Sequence, residues 1–355
     1  MPMHTYTAAV IGGGFGGNLS MAALTESPRF KLVAAADLRE DVRLKLARQY
    51  PGIQTYPNHE DMFRACPPDV VAVSTFPPSH EEITLAALDR LPLKGILVEK
   101  PLGHTWASGR RILKAIQERR LPVAVPHGLM ARRTPLEIIN RVRQGEIGEL
   151  KLLEIQCSGW DIINAGIHWL NFFVNLAGLE PVETVFAACD ATTRTWRDGM
   201  QVETTAVTTA QTRSGIRVVM HTGDHIAVNA PPHETLFRIF GTAGQIEFHG
   251  WDAAYRVVSP AHPGGSVFNP PELPISGHRY HFERLAEQMD SGAADYSPAT
   301  SSLMALELCE AAYLSSQYRV EVRLPLDAFI PPPPVDWTPG QPYSGTGGGR
   351  DGRNL

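Results

Sequence analysis

Two short motifs carry most of the chemistry that can be read in this chain: Gly12-Gly13-Gly14-Phe15-Gly16-Gly17 near the start and Glu99-Lys100-Pro101 further along. Gly12, Gly14 and Gly17 match the spacing G-x-G-x-x-G, with Phe15 and Gly16 filling the interval. Glycines so spaced permit a tight turn, let the backbone approach a pyrophosphate, and let the next helix pack closely on the preceding strand. Asp37 follows Gly17 by twenty residues, where a carboxylate would accept a bond from an adenosine ribose 2′-hydroxyl. The expected ligand is therefore a dinucleotide. Asp37 favours NAD, because a carboxylate repels a 2′-phosphate, while Arg39 nearby could accommodate that phosphate and keeps NADP possible.

Lys100 stands at the end of the apolar run Gly95-Ile96-Leu97-Val98 and before a proline. Proline biases the preceding residue toward an extended conformation, which directs Lys100 out of the strand end rather than into a helix. A partly desolvated lysine can lower its pKa and then donate to, or stabilise, a developing alkoxide. His168 is the second candidate, in Gly166-Ile167-His168-Trp169-Leu170-Asn171-Phe172-Phe173. A neutral imidazole there could accept a proton near neutral pH, although a lone histidine on an apolar helix is more often a core residue. His221, Asp224, His225 and His233 are not fixed on one helix face or closed loop, so no metal is expected. Trp160, Trp169, Trp196 and Trp251 could stack on a sugar ring, with Trp160 favoured because it lies just before Asn164 and His168.

These residues need elements to hold them. Ala8 to Ile11 reads as a buried parallel strand, Asn18 to Leu24 as a helix whose amino end favours phosphate, and Phe30 to Ala36 as a second strand. Strand-like runs at Val70 to Ser74, Gly95 to Glu99 and Pro122 to Val125 alternate with helix-like runs at His80 to Leu91 and Trp106 to Arg119. Such alternation predicts a doubly wound parallel sheet over residues 1–126. From residue 127 to 329 the pattern changes. A helix at Pro135 to Gln144 precedes longer strands at Leu150 to Cys157, Val182 to Cys189, Thr204 to Thr212 and Ile216 to Thr222. Ile216, Val218 and Met220 alternate with Arg217, Val219 and His221, as in an antiparallel sheet with one covered face. Leu236 to Phe240 and Gln245 to Phe248 flank the turn Gly241-Thr242-Ala243-Gly244. Helices at Arg279 to Met289 and Ser301 to Ser316 and a strand at Val320 to Leu324 complete this domain. Residues 330–355, rich in Pro and Gly, have too little apolar content for a core.

Bulk properties exclude several classes. A net charge of −5 gives no support to nucleic-acid or membrane-surface binding, and no apolar run is long enough to span a bilayer. Cys66, Cys157, Cys189 and Cys309 lie far apart, as expected of reduced thiols in a cytoplasmic protein. The first strand begins too early to leave room for a signal peptide.

The chain resembles the glucose–fructose oxidoreductase/inositol dehydrogenase (Gfo/Idh/MocA) family from the glycine motif to about residue 326. Besides the two opening motifs, Thr75-Phe76-Pro77-Pro78-Ser79-His80, Arg132-Arg133-Thr134-Pro135, Asn164-Ala165-Gly166-Ile167-His168 and the helix from Ser301 carry the likeness. The resemblance implies an α/β fold: an N-terminal Rossmann domain, then an α/β domain with a large, mostly antiparallel open sheet that often joins subunits, here into a homodimer or homotetramer. It implies hydride transfer between NAD(P) and a sugar, glycoside, cyclitol or related polyol. It also implies that Lys100 lies near the reacting carbon, that His168 takes the hydroxyl proton, that Thr75, Pro77 and His80 pass along the cofactor, and that Glu99 flanks the nicotinamide. Relatives that cleave glycosides through transient oxidation, and non-catalytic regulators that bind NAD, are the alternatives. One departure stands out. Asn164 replaces a frequent aspartate one helical turn before His168, and Asn171 another. In the serine-protease triad the equivalent change costs on the order of 10⁴ in rate. Either another acid substitutes, Asp161 being nearest, or Lys100 carries more of the proton transfer, or the chemistry differs.

Overall fold

A computed structural model describes residues 4–190, 192, 196–228, 232–331 and 340–342. Most of the 330–355 tail lies outside the described residues. The chain forms two compact units. The first runs to His127 and also takes in Ile275–Leu303; the second holds Gly128–Pro274 and the chain from Met304. The sequence pattern predicts one unbroken second domain from 127 to 329, whereas Ile275–Leu303 belongs to the first unit. The reason is packing: in the helix Gly277–Ser291, Phe282, Leu285 and Ala286 are fully buried among the strands of the first sheet.

That sheet contains β1 (Tyr6–Ile11), β2 (Phe30–Ala36), β3 (Gln54–Tyr56), β4 (Val70–Val73), β5 (Gly95–Val98) and β6 (Val123–Ala124). All neighbours are parallel, in the order β3-β2-β1-β4-β5-β6. Continuous apolar runs such as Val70-Val71-Ala72-Val73, fully buried, suit strands covered on both faces. Helices α1 (Phe15–Glu26), α2 (Glu40–Gln49), α3 (His59–Ala65), α4 (His80–Arg90) and α5 (Trp106–Glu118) make the connections. The order reverses between β1 and β4, and the crevice at such a switch point, beyond the carboxyl ends of the strands, is where open α/β sheets take ligands.

The second unit opens with α6 (Arg133–Arg143) and has α7 (Ile167–Leu176) among its strands. Its large sheet uses β7 (Leu150–Ser158), β8 (Val182–Asp190), β11 (Thr205–Thr212), β12 (Arg217–Gly223), β13 (Thr235–Gly241), β14 (Gln245–His249), β15 (Tyr255–Ser259), β16 (His262–Phe268) and β17 (Val322–Arg323). A separate small ribbon pairs β9 (Trp196–Arg197) with β10 (Met200–Gln201). The order is β16-β15-β14-β13-β7-β12-β11-β8-β17, antiparallel throughout except for the β7–β12 pair. Val218 and Met220 of β12 are fully buried while Arg217 is exposed, as their alternation predicted. Strands β15 and β16 were not foreseen. His262-Pro263-Gly264-Gly265 carries no strand-like alternation, yet proline and glycine are tolerated in an edge strand, which leaves one side unpaired.

Candidate cofactor and catalytic residues

The first unit shapes the glycine loop by close approach. Gly12 has φ +97°, and a Cβ on it would lie 2.4 Å from the Ser74 carbonyl oxygen. A Cβ on Gly17 would lie 1.8 Å from the Gly12 oxygen, so the turn and the start of α1 admit glycine alone. At Gly14, by contrast, an added Cβ would meet nothing within 4 Å, so the loop is open on that side. Helix α1 starts there without a side-chain cap and without an acid in its first turn, which leaves amide donors for an anion such as pyrophosphate. Asp37 closes the other end, accepting from the Gly13 amide at 2.7 Å and the Arg39 amide at 2.9 Å. The Arg39 side chain is exposed, with Nε 3.6 Å from Asp37. Phe15 at the start of α1, and Leu38 and Phe76 on the loops after β2 and β4, expose large apolar side chains suited to a flat base. These residues fit a dinucleotide.

His80 is fully buried, and its ring nitrogens lie 2.9 Å from the carbonyls of Thr75 and Pro101. It clamps the Thr75 turn to the cis Lys100–Pro101 peptide and so holds the shape of that turn. Pro77 is buried in the same turn, and Thr75 is partly exposed. Burial pushes the His80 imidazole below its ordinary pKa, and its carbonyl partners oppose this. Glu99 is buried with its carboxyl 3.1 Å from where a Gly16 Cβ would be. Its Oε1 meets His278 Nε2 at 2.5 Å, and its Oε2 accepts from the Lys100 amide at 3.2 Å. Burial alone would raise Glu99, but His278, then Lys100 and His80, hold it below the usual carboxylate range. Burial and then the Lys100 charge push His127 well below its ordinary value. Burial also brings His281, which donates to the His127 carbonyl at 3.2 Å, down to about 4. Lys100, partly buried, thus follows a parallel strand among groups that respond to its charge.

The second unit presents His168 from an anchored turn. Residues Ile162–Gly166 form a π-helical turn directly before α7. Asp161 caps it, its Oδ1 accepting from the Asn164 amide at 2.8 Å and from Asn164 Nδ2 at 2.9 Å. Arg197 donates to Asp161 Oδ2 at 2.8 Å, with both side chains almost wholly buried. Glu203, on a separate segment, accepts from the Ile162 amide at 2.7 Å and from the Tyr313 hydroxyl at 2.8 Å. The turn passes into α7, where Ile167, Trp169, Leu170, Phe172 and Phe173 are buried and His168 keeps partial exposure. Trp251 is 43% exposed and lies edge-on to His168 at a ring distance of 6.3 Å, with the Arg132 guanidinium 5.9 Å from its ring.

Lys100 with the cofactor residues belongs to the first unit, and Asn164, His168 and Trp160 belong to the second. Trp160 lies against the Arg197 guanidinium at 4.5 Å, and Trp169 is core, so Trp251 is the exposed aromatic beside His168. Asp161 supplies a carboxylate next to Asn164, and that carboxylate is already bonded to Asn164 and Arg197. Sequence reasoning missed His278, His281, Arg197, Glu203 and Tyr313, each a single polar letter with no motif around it. Among the described residues, His233, His249 and Asp252 have ligand atoms within 4.8 Å of one another. The two rings are stacked at 4.0 Å and 15°, so their in-plane lone pairs do not converge on one ion.

Comparison with known proteins decides the lineage. Residues 6–127 match the model described as "Oxidoreductase family, NAD-binding Rossmann fold", and residues 156–247 match the "GFO/IDH/MocA C-terminal domain". The chain belongs to the GFO/IDH/MocA oxidoreductase family. Like other members it carries an NAD-binding Rossmann domain. It is 27% identical over 197 residues to the rhizopine catabolism protein MocA of Rhizobium meliloti, covering 50% of this chain and 59% of that one. It is 36% identical over 86 residues to inositol 2-dehydrogenase of Klebsiella pneumoniae, covering 24% and 25%. The chain thus matches between about a quarter and three fifths of the length of these curated relatives. An oxidoreductase from Agrobacterium radiobacter, crystallised with NAD+, L-tartaric acid and magnesium, shares the fold at a TM-score of 0.75 and 20% identity, over 90% of this chain and 98% of that one. No helix among the described residues is long and apolar enough to cross a membrane.

Proposed function

We propose that this oxidoreductase transfers hydride between NAD and a secondary alcohol, or the matching ketone, of a sugar, glycoside or cyclitol. The observation that carries the reading is the presentation of His168: a partly exposed imidazole at the start of α7, fixed by a capped π-helical turn and flanked by the exposed ring of Trp251. In the oxidative direction His168 accepts the hydroxyl proton as the general base. Lys100 holds the substrate oxygen and stabilises the charge that develops on it. Trp251 offers its face to the C–H surface of the ring. NAD, when bound, supplies the hydride acceptor. Asp37 supports NAD over NADP, because a carboxylate after the second strand repels a 2′-phosphate. The names of the inositol 2-dehydrogenase and MocA relatives support a cyclitol-like substrate class. Exposed Phe186 and Val207 on the large sheet support a homo-oligomer joined through that face.

The test is a screen of sugars, cyclitols and glycosides with NAD and with NADP, reading absorbance and products together. One reduced cofactor for each ketone formed supports the reading. Aglycone release without net reduced cofactor overturns it in favour of glycoside cleavage by transient oxidation.

A further inference from the structure

We propose that Glu203 is a positioning residue for His168: through the Ile162 amide it fixes the π-helical turn that carries Asn164 and leads into α7, and this turn slackens when the carboxylate takes up a proton. The inference rests on His168 being the base.

The geometry is that of an acid buried without a counter-charge. Asp161 is 1% exposed, Arg197 2%, and Glu203 and Tyr313 3% each. Arg197 directs Nη1 to Asp161. Glu203 receives only neutral donors: the Ile162 amide at 2.7 Å, the Tyr313 hydroxyl at 2.8 Å and the Thr222 hydroxyl at 3.5 Å. No Lys, Arg or His among the described residues pairs with it. The groups that act on it or respond to its charge are Asp161 at the start of the turn, Thr222 on β12, Cys189 on β8 and Tyr313 on the helix Ser297–Tyr318. Burial, and next the Glu203 charge, push the Tyr313 hydroxyl and the Cys189 thiol well above their ordinary ranges, so both remain neutral. Burial and then the Asp161 charge bring Glu203 itself up to about 7, against the opposing pull of its amide and hydroxyl donors. It therefore changes charge near neutral pH.

The proton comes from solvent. On Oε2 it meets the Tyr313 oxygen, whose own O–H must turn away, and charge drains from Oε1. The Ile162 amide then donates to a neutral carbonyl, a weaker bond than one to a carboxylate. Ile162 is the first residue of the turn, so a looser Ile162 relaxes the hold on Asn164 and on the entry to His168.

Infrared difference spectra and pH profiles of kcat and KM, taken on the full chain with NAD, test this. The wild type is expected to show a protonated-carboxyl stretch that titrates near neutral pH and disappears in Glu203→Gln. The acid limb of kcat should fall with two ionisations in the wild type and one in Glu203→Gln, with NAD affinity unchanged. Tyr313→Phe keeps the acid but removes a donor that favours its charged form, so the band and the kcat limb should both move to higher pH. It also serves if Glu203→Gln fails to fold. A wild-type band that persists in Glu203→Gln, a Glu203→Gln kcat profile superimposable on wild type, or a Tyr313→Phe midpoint that does not move overturns the inference. Retained turnover in His168→Ala overturns instead the assignment of the base, and the infrared titration distinguishes the two failures.

Discussion

The first unit buries three histidines, His80, His127 and His281, whereas the second buries a carboxylate, Glu203, close to another, Asp161. Burial disfavours the charged form in both, so the histidines are pushed down and the carboxylate up. The consequences for acid stability are opposite. An unfolded chain binds protons at the three histidines as pH falls through 6.5, where the native first unit resists, so that unit loses stability on acidification. Glu99, held below its ordinary value beside His278, adds to the loss at lower pH, because its stabilising charge disappears as pH falls through its folded pKa. In the second unit the native state holds a proton on Glu203 between the unfolded value near 4.5 and about 7, so this group favours folding as pH falls through that window. The cofactor unit is built around neutral bases, and the histidine-bearing unit around an acid poised to titrate.

The largest effects expected are catalytic. His168→Ala should lower kcat by on the order of 10²–10⁴ while NAD binding, a property of the other unit, stays at wild-type affinity by fluorescence titration. Lys100→Met should lower kcat comparably, since the proposed mechanism uses its charge to stabilise the reacting oxygen. Equal loss of NAD affinity in His168→Ala would break the division of labour between the units.

Next in size is Asn164→Asp. The family pattern suggests that restoring the acid should improve the enzyme, yet Asn164 Nδ2 lies 2.9 Å from an Asp161 oxygen. An aspartate there would set two buried carboxylates against each other. The variant should therefore lose roughly 3 kcal/mol in denaturant unfolding and should lose activity as well. A stable, faster Asn164→Asp enzyme would contradict the role assigned to Asp161.

Smaller again are the opposed pH effects. His281→Gln, which keeps a donor toward the His127 carbonyl, should retain about 2 kcal/mol more stability than wild type on going from pH 7 to pH 5. Glu203→Gln should gain on the order of 1–2 kcal/mol at pH 8 and little at pH 5, by the same thermal or chemical melts. Matching signs in the two variants would erase the contrast between the units. The smallest effect expected is at Asp37. Asp37→Ser should weaken NAD about tenfold and narrow the preference against NADP, as measured by KM for each cofactor.

The sequence was most legible where spacing itself is the signal. Gly12 and Gly17 sit at a fixed interval because backbone must meet backbone at the turn, Gly14 lies on the loop's open side, and Asp37 follows because β2 ends there. His168 was proposed from the Asn164–His168 segment, whereas the contacts that hold that turn carried no sequence signal. Glu203, Arg197 and Tyr313 reach Asp161 and Ile162 from separate segments, so no local period marks them. His278 was hidden for the same reason. It meets Glu99 because the apolar face of Gly277–Ser291 returns to the first sheet, a choice made by tertiary packing. Trp160 was favoured over Trp251 by closeness in sequence, whereas the structure puts Trp251 beside the histidine and Trp160 against Arg197.

The most direct test compares wild type with His168→Ala in single turnovers on the best polyol from the screen, with NAD bound beforehand and both NADH and product quantified. The account expects one NADH for each ketone in the wild type, and a rate at least about a hundredfold lower in His168→Ala with the same NAD occupancy. Product formed without NADH, or a His168→Ala rate equal to wild type, would contradict it.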